Sequence, residues 1–269
     1  MQLSSYGITH QGKVRNANED AFLIDEAHQV FAVADGLGGL PGGAEASQRI
    51  IKLLQQTYSQ VNAEEECADL GELILGINRI LTKEGSEAHP FTGLGSTLTI
   101  AQLINDQLLI GHVGDSAAYH LRGDDFNKIT INHTLEQEFI KRAGESARNR
   151  YLRCDDFNKT TIDHTMEQEF IERAGESARN LMPEEYPHTL TRCVGQDENV
   201  RIDQFRLTIA SGDRLLLCTD GLDNIVTKQQ IHAALQVDGT PEAICQELVE
   251  HANAEGGPDN ITAIVVFIQ

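Results

Sequence analysis

The chain is poor in positive charge: its 269 residues include 21 Lys and Arg against 41 Asp and Glu, a formal net charge of −20. Such a surface repels phosphate backbones and anionic lipid, so neither nucleic acid nor a membrane surface is expected as a partner. Most of these carboxylates read as solvated surface groups. Cysteine is scarce and unpatterned. Cys67, Cys154, Cys193, Cys218 and Cys245 are odd in number and form no C-x-x-C pair or Cys/His cluster with zinc-ligand spacing. That usage fits reduced thiols in a cytosol. Long apolar runs are also missing: nothing approaches the roughly 18 to 20 residues of a membrane span, and Met1 to Asp20 lacks the apolar centre of a secretory signal. The expectation is a soluble, cytoplasmic protein.

What is present can build a sizeable core. With 40% hydrophobic residues, the chain can fold as one domain or two small ones. Ala21 to Asp25 and Gln29 to Ala34 read as strands, and Gly42-Gly43 opens a helical pattern in which Ile50, Leu53, Leu54, Tyr58 and Val61 share a face. A second helix is predicted from about Glu64 to Thr82, on Leu70, Leu73, Ile74, Ile77 and Leu81. Gly95 to Leu121 reads as three strands with turns at Asn105-Asp106 and Gly114-Asp115. Strands at Arg201 to Ile209 and Arg214 to Thr219, helices at Lys228 to Gln236 and Pro241 to Asn253, and a last strand from Ile261 to Ile268 complete the pattern. Strands grouped with strands and helices with helices predict an α+β layered fold, not a doubly wound parallel sheet.

A tandem repeat interrupts this order. Leu121 to Asn149 matches Leu152 to Asn180, differing at five of 29 positions. Two copies are too few for a solenoid, so a local duplication is the simpler reading. Each copy carries a His-Thr pair, at His133 and His164, placed to cap a helix. The organisation predicted is a single domain, 1–269, with a duplicated segment at about 121–180.

Carboxylates set at strand ends are the main chemical signal. Asp35-Gly36 follows the apolar run Ala32-Val33-Ala34, and Asp220-Gly221 follows Leu217-Cys218-Thr219. Asp115 ends another apolar stretch, and Asp259 precedes Asn260 and the run Ile261 to Ile268. Rigid strand ends hold oxygen donors at fixed separations, which hard cations such as magnesium or manganese require. Other motifs carry less. Gly7 to Lys13 matches part of a P-loop, but Val14 stands where a hydroxyl should hold magnesium. Gly114-Asp115-Ser116 lacks a partnered base for a serine nucleophile. Asp213 and Asp223 read as turn formers and His112 as a packed core residue.

Taken in order, Arg15-x-x-Asn18-Glu19-Asp20-Ala21, Ala34 to Gly39, Gly95-Ser96-Thr97, Gly114-Asp115-Ser116, Leu190-Thr191-Arg192, Gly212-Asp213 to Asp220-Gly221 and Gly257-Pro258-Asp259-Asn260 resemble the metal-dependent protein serine/threonine phosphatases, the type 2C family. The resemblance implies a four-layer α-β-β-α sandwich of two antiparallel sheets with a two-metal site at one end, holding Mn2+ or Mg2+. By position it makes Asp35 the bridging carboxylate and places the Gly36 carbonyl on one cation. Asp220 and Asp259 complete the other, and Glu19 and Asp20 act directly or through water. Asp115 with Asp220 resembles a third-metal site, Arg15 the phosphate-binding arginine, and Asn260 a residue that orients Asp259. The repeat falls where the family has a flap beside its active site. The substrates implied are phosphoserine and phosphothreonine proteins, with a cognate serine/threonine kinase as a further partner.

One departure affects the proton. Relatives often carry a histidine just beyond Asp-Gly that can act as general acid, whereas Leu40 and Pro41 stand there. Two other classes compete with the enzyme: a catalytically weak phosphoprotein-binding regulatory module on the same fold, and a metal-stabilised structural protein. The second leaves Arg15 without a role.

Overall fold

The computed structural model describes residues 2–37, 42–60, 69–135, 137, 138, 141 and 189–269. The chain divides into two compact units, Met1–Ile131 with Arg192–Gln269, and Asn132–Thr191. In the larger unit the strands are β1 Leu3–His10, β2 Asp20–Asp25, β3 Val30–Asp35, β4 Leu98–Ile104, β5 Gln107–Val113, β6 Ala117–Arg122, β7 Asp125–Lys128, β8 Asp203–Thr208, β9 Arg214–Cys218 and β10 Ile261–Ile268. Its helices are α1 Gly43–Tyr58, α2 Leu70–Ala88, the single turn α3 Asp220–Asp223, α4 Lys228–Gln236 and α5 Pro241–Ala254. The strands form two antiparallel sheets, in the orders β1-β10-β9-β6-β7 and β2-β3-β4-β5-β8.

Period-two alternation assigns each strand residue to a layer. Phe31 and Val33 of β3 face Leu215 and Leu217 of β9 and Ile264 and Val266 of β10 in a core between the sheets. The alternate residues face outward: Ala32 and Ala34 pack beneath α1 and α2, and Leu216, Cys218, Ala263 and Val265 pack beneath α4 and α5. The result is the α-β-β-α sandwich that the family resemblance implies, and the α+β layering that the residue pattern predicts. Both faces of β3, β9 and β10 are buried, which is why those strands read as continuous apolar runs.

The helix ends have local causes. Asp69 Oδ1 accepts from the Gly71 N–H at 2.8 Å and starts α2. Thr227 and Gln230 form a capping box at α4, and Thr240 caps α5 with Pro241 in its first turn. The second predicted helix is corrected at its C-terminal end, since α2 runs from Leu70 to Ala88. Its apolar stripe stops at Leu81, but the helix continues because Glu84 takes two hydrogen bonds from Arg49 of α1, at 2.7 and 2.5 Å. Residues 64–68 of that prediction lie outside the described residues.

Two strands carry no apolar signal in the sequence. β1 is half-buried along most of its length and is held by an eight-residue register against β10. It takes up Gly7 to His10, so the P-loop look-alike is a strand and the turn after it. β7 is formed by the opening residues of the repeat, whose Leu121 and Arg122 end β6. The second copy, Leu152 to Asn180, lies outside the described residues, as do Leu40 and Pro41.

In the smaller unit the chain ends pair with each other. Leu135 donates its N–H to the Thr189 carbonyl at 3.0 Å, and Thr191 donates to the His133 carbonyl at 2.8 Å. A bridge between Thr134 and Leu190 lies between these bonds.

Candidate active site

Strand register gathers the predicted carboxylates at one end of the sandwich. Asp20, the first residue of β2, stands opposite Asp35, the last of β3. β10 starts at Ile261, paired to the end of β1, and Ala263 pairs with Cys218 at the end of β9. Asp259 therefore precedes one strand beside the point where Asp220 follows the other. Asp115 lies in the turn from β5 to β6 at the same edge, since Ala117 also pairs with Cys218.

The glycines of the two Asp-Gly motifs permit close approach. A Cβ on Gly36 would meet the Gly43 carbonyl oxygen at 2.1 Å, and one on Gly221 would meet the Asn260 carbonyl oxygen at 1.9 Å. Any side chain there would push the carboxylates apart.

Each acid is held from behind. Asp20 Oδ2 accepts from Thr219 Oγ1 at 2.8 Å and Thr262 Oγ1 at 2.6 Å. The Asp35 N–H donates to Thr97 Oγ1 at 3.0 Å, and Ser96 Oγ donates to the Asp35 carbonyl at 2.8 Å. Asp220 Oδ2 accepts from Asn224 Nδ2 at 3.2 Å. Asn260 fixes both sides of the site. Its N–H donates to Asp259 Oδ1 at 2.8 Å, its Oδ1 accepts from the Glu19 N–H at 2.8 Å, and its Nδ2 donates to the Gln11 and Ala17 carbonyls. The Glu19 carbonyl accepts from the Gly36 N–H at 3.1 Å, and its carboxyl lies beside Gly43 at the start of α1. Arg15 Nη2 donates to Asp259 Oδ2 at 2.7 Å.

These acids act on one another electrostatically. Burial, then the charges of Asp20, Asp220 and Asp115, pushes the Asp35 carboxyl well above its ordinary range. Burial pushes Asp20 up to about 7 against the opposing hydrogen bonds of Thr262 and Thr219, with Asp220 and Asp259 raising it further. Asp115 rises to about 8, through burial and then Asp220. Arg15 feels Asp259, Asp35 and Glu19.

Among the described residues, no three Asp, Glu, His or Cys side chains stand in a closed metal-ligand arrangement. The donor set still fits hard divalent cations. It is all oxygen, it concentrates like charge that a cation would neutralise, and Asp20 Oδ1 is buried with no hydrogen-bond partner among the described residues.

Asp213 keeps its predicted turn, where its N–H donates to the Ala210 carbonyl at 3.1 Å, and both Asp213 and Asp223 also anchor ion pairs. Asp213 takes Arg122 on both oxygens at 2.8 and 2.6 Å, with His120 and the Ala210 N–H on Oδ2, and closes the far end of β9. Asp223 accepts from Tyr119 Oη and, at 2.5 Å, from Lys128 Nζ. Neither ion pair is local, so sequence spacing carried no sign of it. Thr219 and Thr262 were also missed, although both lie within three residues of a predicted acid. His112 is a buried strand residue as predicted, with Nδ1 2.8 Å from Thr99 Oγ1 and Nε2 3.2 Å from the Ile131 carbonyl.

Comparison with known proteins agrees with this arrangement. The family described as Protein phosphatase 2C matches residues 9–263. Serine/threonine phosphatase stp of Listeria innocua is 29% identical over 265 residues, covering 96% of this chain and 93% of its own. The crystal structure of the catalytic domain of the serine/threonine protein phosphatase PstP, in complex with two manganese ions, is 27% identical with a TM-score of 0.74 and covers 99% of both chains. A bacterial serine phosphatase structure, 25% identical, reaches a TM-score of 0.81 over 100% of this chain and 98% of its own. The chain belongs to the protein phosphatase 2C family, the metal-dependent protein serine/threonine phosphatases.

Proposed function

We propose that this end of the sandwich hydrolyses phosphoserine and phosphothreonine in proteins, with Asp35, Gly36, Asp220 and Asp259 as the main ligands of two Mn2+ or Mg2+ ions. Glu19 and Asp20 assist, and Asp115 with Asp220 holds a third. The observation that carries this reading is the meeting of Asp20, Asp35, Asp115 and Asp220, from both sheets, in mutual electrostatic contact.

Bound divalent cations supply Lewis acidity, activating a water and offsetting phosphoryl charge. The chain supplies the rest. Thr219 and Thr262 fix one oxygen of Asp20 and leave the other open to the site. Ser96 and Thr97 fix the Asp35 backbone through both its carbonyl and its N–H. Asn260 locks the loop bearing Glu19 against Asp259. Arg15, exposed and held only by an acid, offers a planar pair of donors to a phosphate monoester. No nucleophilic side chain is required, so no phosphoenzyme forms. A binding module with weak catalysis has no need of this full acid set.

The duplicated segment at about 121–180 acts as the flap of a single catalytic domain. A serine/threonine kinase provides the substrates. The protein works in the cytoplasm without nucleic-acid or membrane partners, a reading supported by its net charge of −20.

The decisive experiment titrates Mn2+ into chelator-stripped protein with a phosphothreonine peptide. Turnover that rises from baseline with the metal supports the proposal. Full turnover in the presence of excess chelator refutes it.

A further inference from the structure

Behind the Asp115 and Asp220 edge lies an ion pair that the reaction does not use. Asp223 sits one turn along α3 from Asp220, and its side chain is 7% exposed. Oδ1 accepts from Tyr119 Oη on β6, and Oδ2 accepts from Lys128 Nζ on β7 at 2.5 Å. Tyr119 and Lys128 are cross-strand partners, and the ammonium lies 5.8 Å from the Tyr119 ring centroid. Phe126 stacks on Tyr119, with ring centroids 5.3 Å apart. The pair therefore has one geometry, fixed by two strands and a helical turn.

From these contacts we infer that Lys128 and Asp223 are positioning residues that set the cation affinity of the Asp115–Asp220 pair. Lys128 adds a positive charge and Asp223 a negative one beside a site proposed to gain two positive charges on binding. The inference rests on the proposed assignment of Asp115 and Asp220 as ligands. Strand pairing carries the inference: Tyr119, which holds Asp223, lies on β6 just after Asp115, and β6 pairs with β9, which leads into Asp220. Asp223 also fixes α3, so its anchoring holds the backbone of Asp220 in place.

Each charge has its own sign, which separates an electrostatic role from a purely structural one. Removing Lys128 leaves Asp223 to attract the cation, whereas removing the Asp223 charge leaves Lys128 to repel it. A lesion that only loosened the fold would weaken binding in both cases. Removing both restores the local charge balance, so the double variant lies between the two single ones.

The test is Mn2+ binding to the full-length, metal-stripped chain at pH 8, by calorimetry and by electron paramagnetic resonance of the free ion, with melting temperatures recorded for every variant. Lys128→Met is expected to tighten the weakest Mn2+ class by about tenfold, and Asp223→Asn to weaken it by a similar factor, as expected for one charge acting at short range through a partly buried medium. Lys128→Arg keeps the wild-type affinity, and the double variant returns toward it. If Lys128→Met fails to fold, Asp223→Asn against the double variant carries the same contrast. Asp115→Asn is the control: if it leaves every Mn2+ class unchanged, the ligand assignment fails and this inference fails with it. If Asp115→Asn removes the weak class while Lys128→Met and Asp223→Asn shift it in the same direction or not at all, the tuning role alone is overturned.

Discussion

The guanidinium of Arg15 lies 2.7 Å from Asp259 Oδ2 and ties the loop after β1 to the turn before β10. The group proposed to receive phosphate is thus held by a group proposed to receive a cation. Both side chains are partly exposed, at 42% and 30%, so the pair itself contributes little, about 0 to 1 kcal/mol. Its expected value is linkage: a cation held by Asp259 would free Arg15 for the substrate, so metal and phosphate would favour each other.

Arg15→Ala is expected to lower kcat/KM on a phosphothreonine peptide by about 10²-fold, as for a lost charge-assisted pair of hydrogen bonds. Mn2+ binding to the same variant should stay equal or tighten, since Asp259 loses its competitor. Weaker Mn2+ binding in Arg15→Ala would contradict the linkage. Arg15→Lys restores charge without the planar fork and should recover only part of the rate.

Asp220→Asn should reduce turnover to near baseline while the fold survives, because Asp220 starts a single helical turn at the surface of the core. Mn2+ should raise the melting temperature of the wild type through selective binding to the native state, and raise it less in Asp220→Asn. Equal shifts in the two proteins would remove Asp220 from the ligand set.

The far end of β9 gives a pH signature. Burial alone would raise Asp213, but the hydrogen bonds from Arg122, His120 and Ala210 overcome it and hold the carboxyl below its ordinary value of 3.8. A depressed acid stabilises the fold above its unfolded pKa, and that contribution is lost as pH falls through the folded one. Asp213→Asn should therefore cost about 1.5 to 3 kcal/mol at pH 7, as for losing hydrogen bonds to a buried charged group, with the deficit shrinking below pH 3.8. Urea unfolding at pH 7 and pH 3 measures it. A deficit independent of pH would show that charge is not the cause.

Deleting Leu121 to Tyr151 joins His120 to Leu152 and places the second copy where the first forms the end of β6 and β7. Phe157 and Lys159 then replace Phe126 and Lys128, but Cys154 replaces Gly123, whose φ is +58. A Cβ there meets open space, so the cost is backbone strain alone, about 1 to 2 kcal/mol. The deletion should unfold cooperatively with slightly lower stability, and Cys154→Gly in that background should recover it. Loss of cooperative unfolding would show that both copies belong to one packed unit.

With Leu40 and Pro41 in place of a histidine, the leaving-group proton is expected to come from water or from the substrate's surroundings. His133→Ala should then change phosphoserine-peptide and p-nitrophenyl phosphate turnover by similar, modest factors. Selective collapse of the peptide rate, by ~10²-fold or more, would make His133 the acid.

The sequence determined the layers and the ends of the strands. Runs such as Val30 to Asp35 and Ile261 to Ile268 are apolar on both faces because both faces are buried, and the acids stand out where each run stops. Alternation and helical spacing are local, so they could be read without a structure. β1 and β7 could not be, because their pairing partners rather than their own composition make them strands. α2 outlasts its apolar stripe for a similar reason, since Arg49 holds Glu84 from another helix. Within the site, the acid residue types followed from motif order. Tertiary structure alone decided that Thr219 and Thr262 hold Asp20, that Asp213 and Asp223 anchor ion pairs, and that Arg15 reaches Asp259. Hydrogen bonds between residues 93 to 244 positions apart leave no periodicity in a chain.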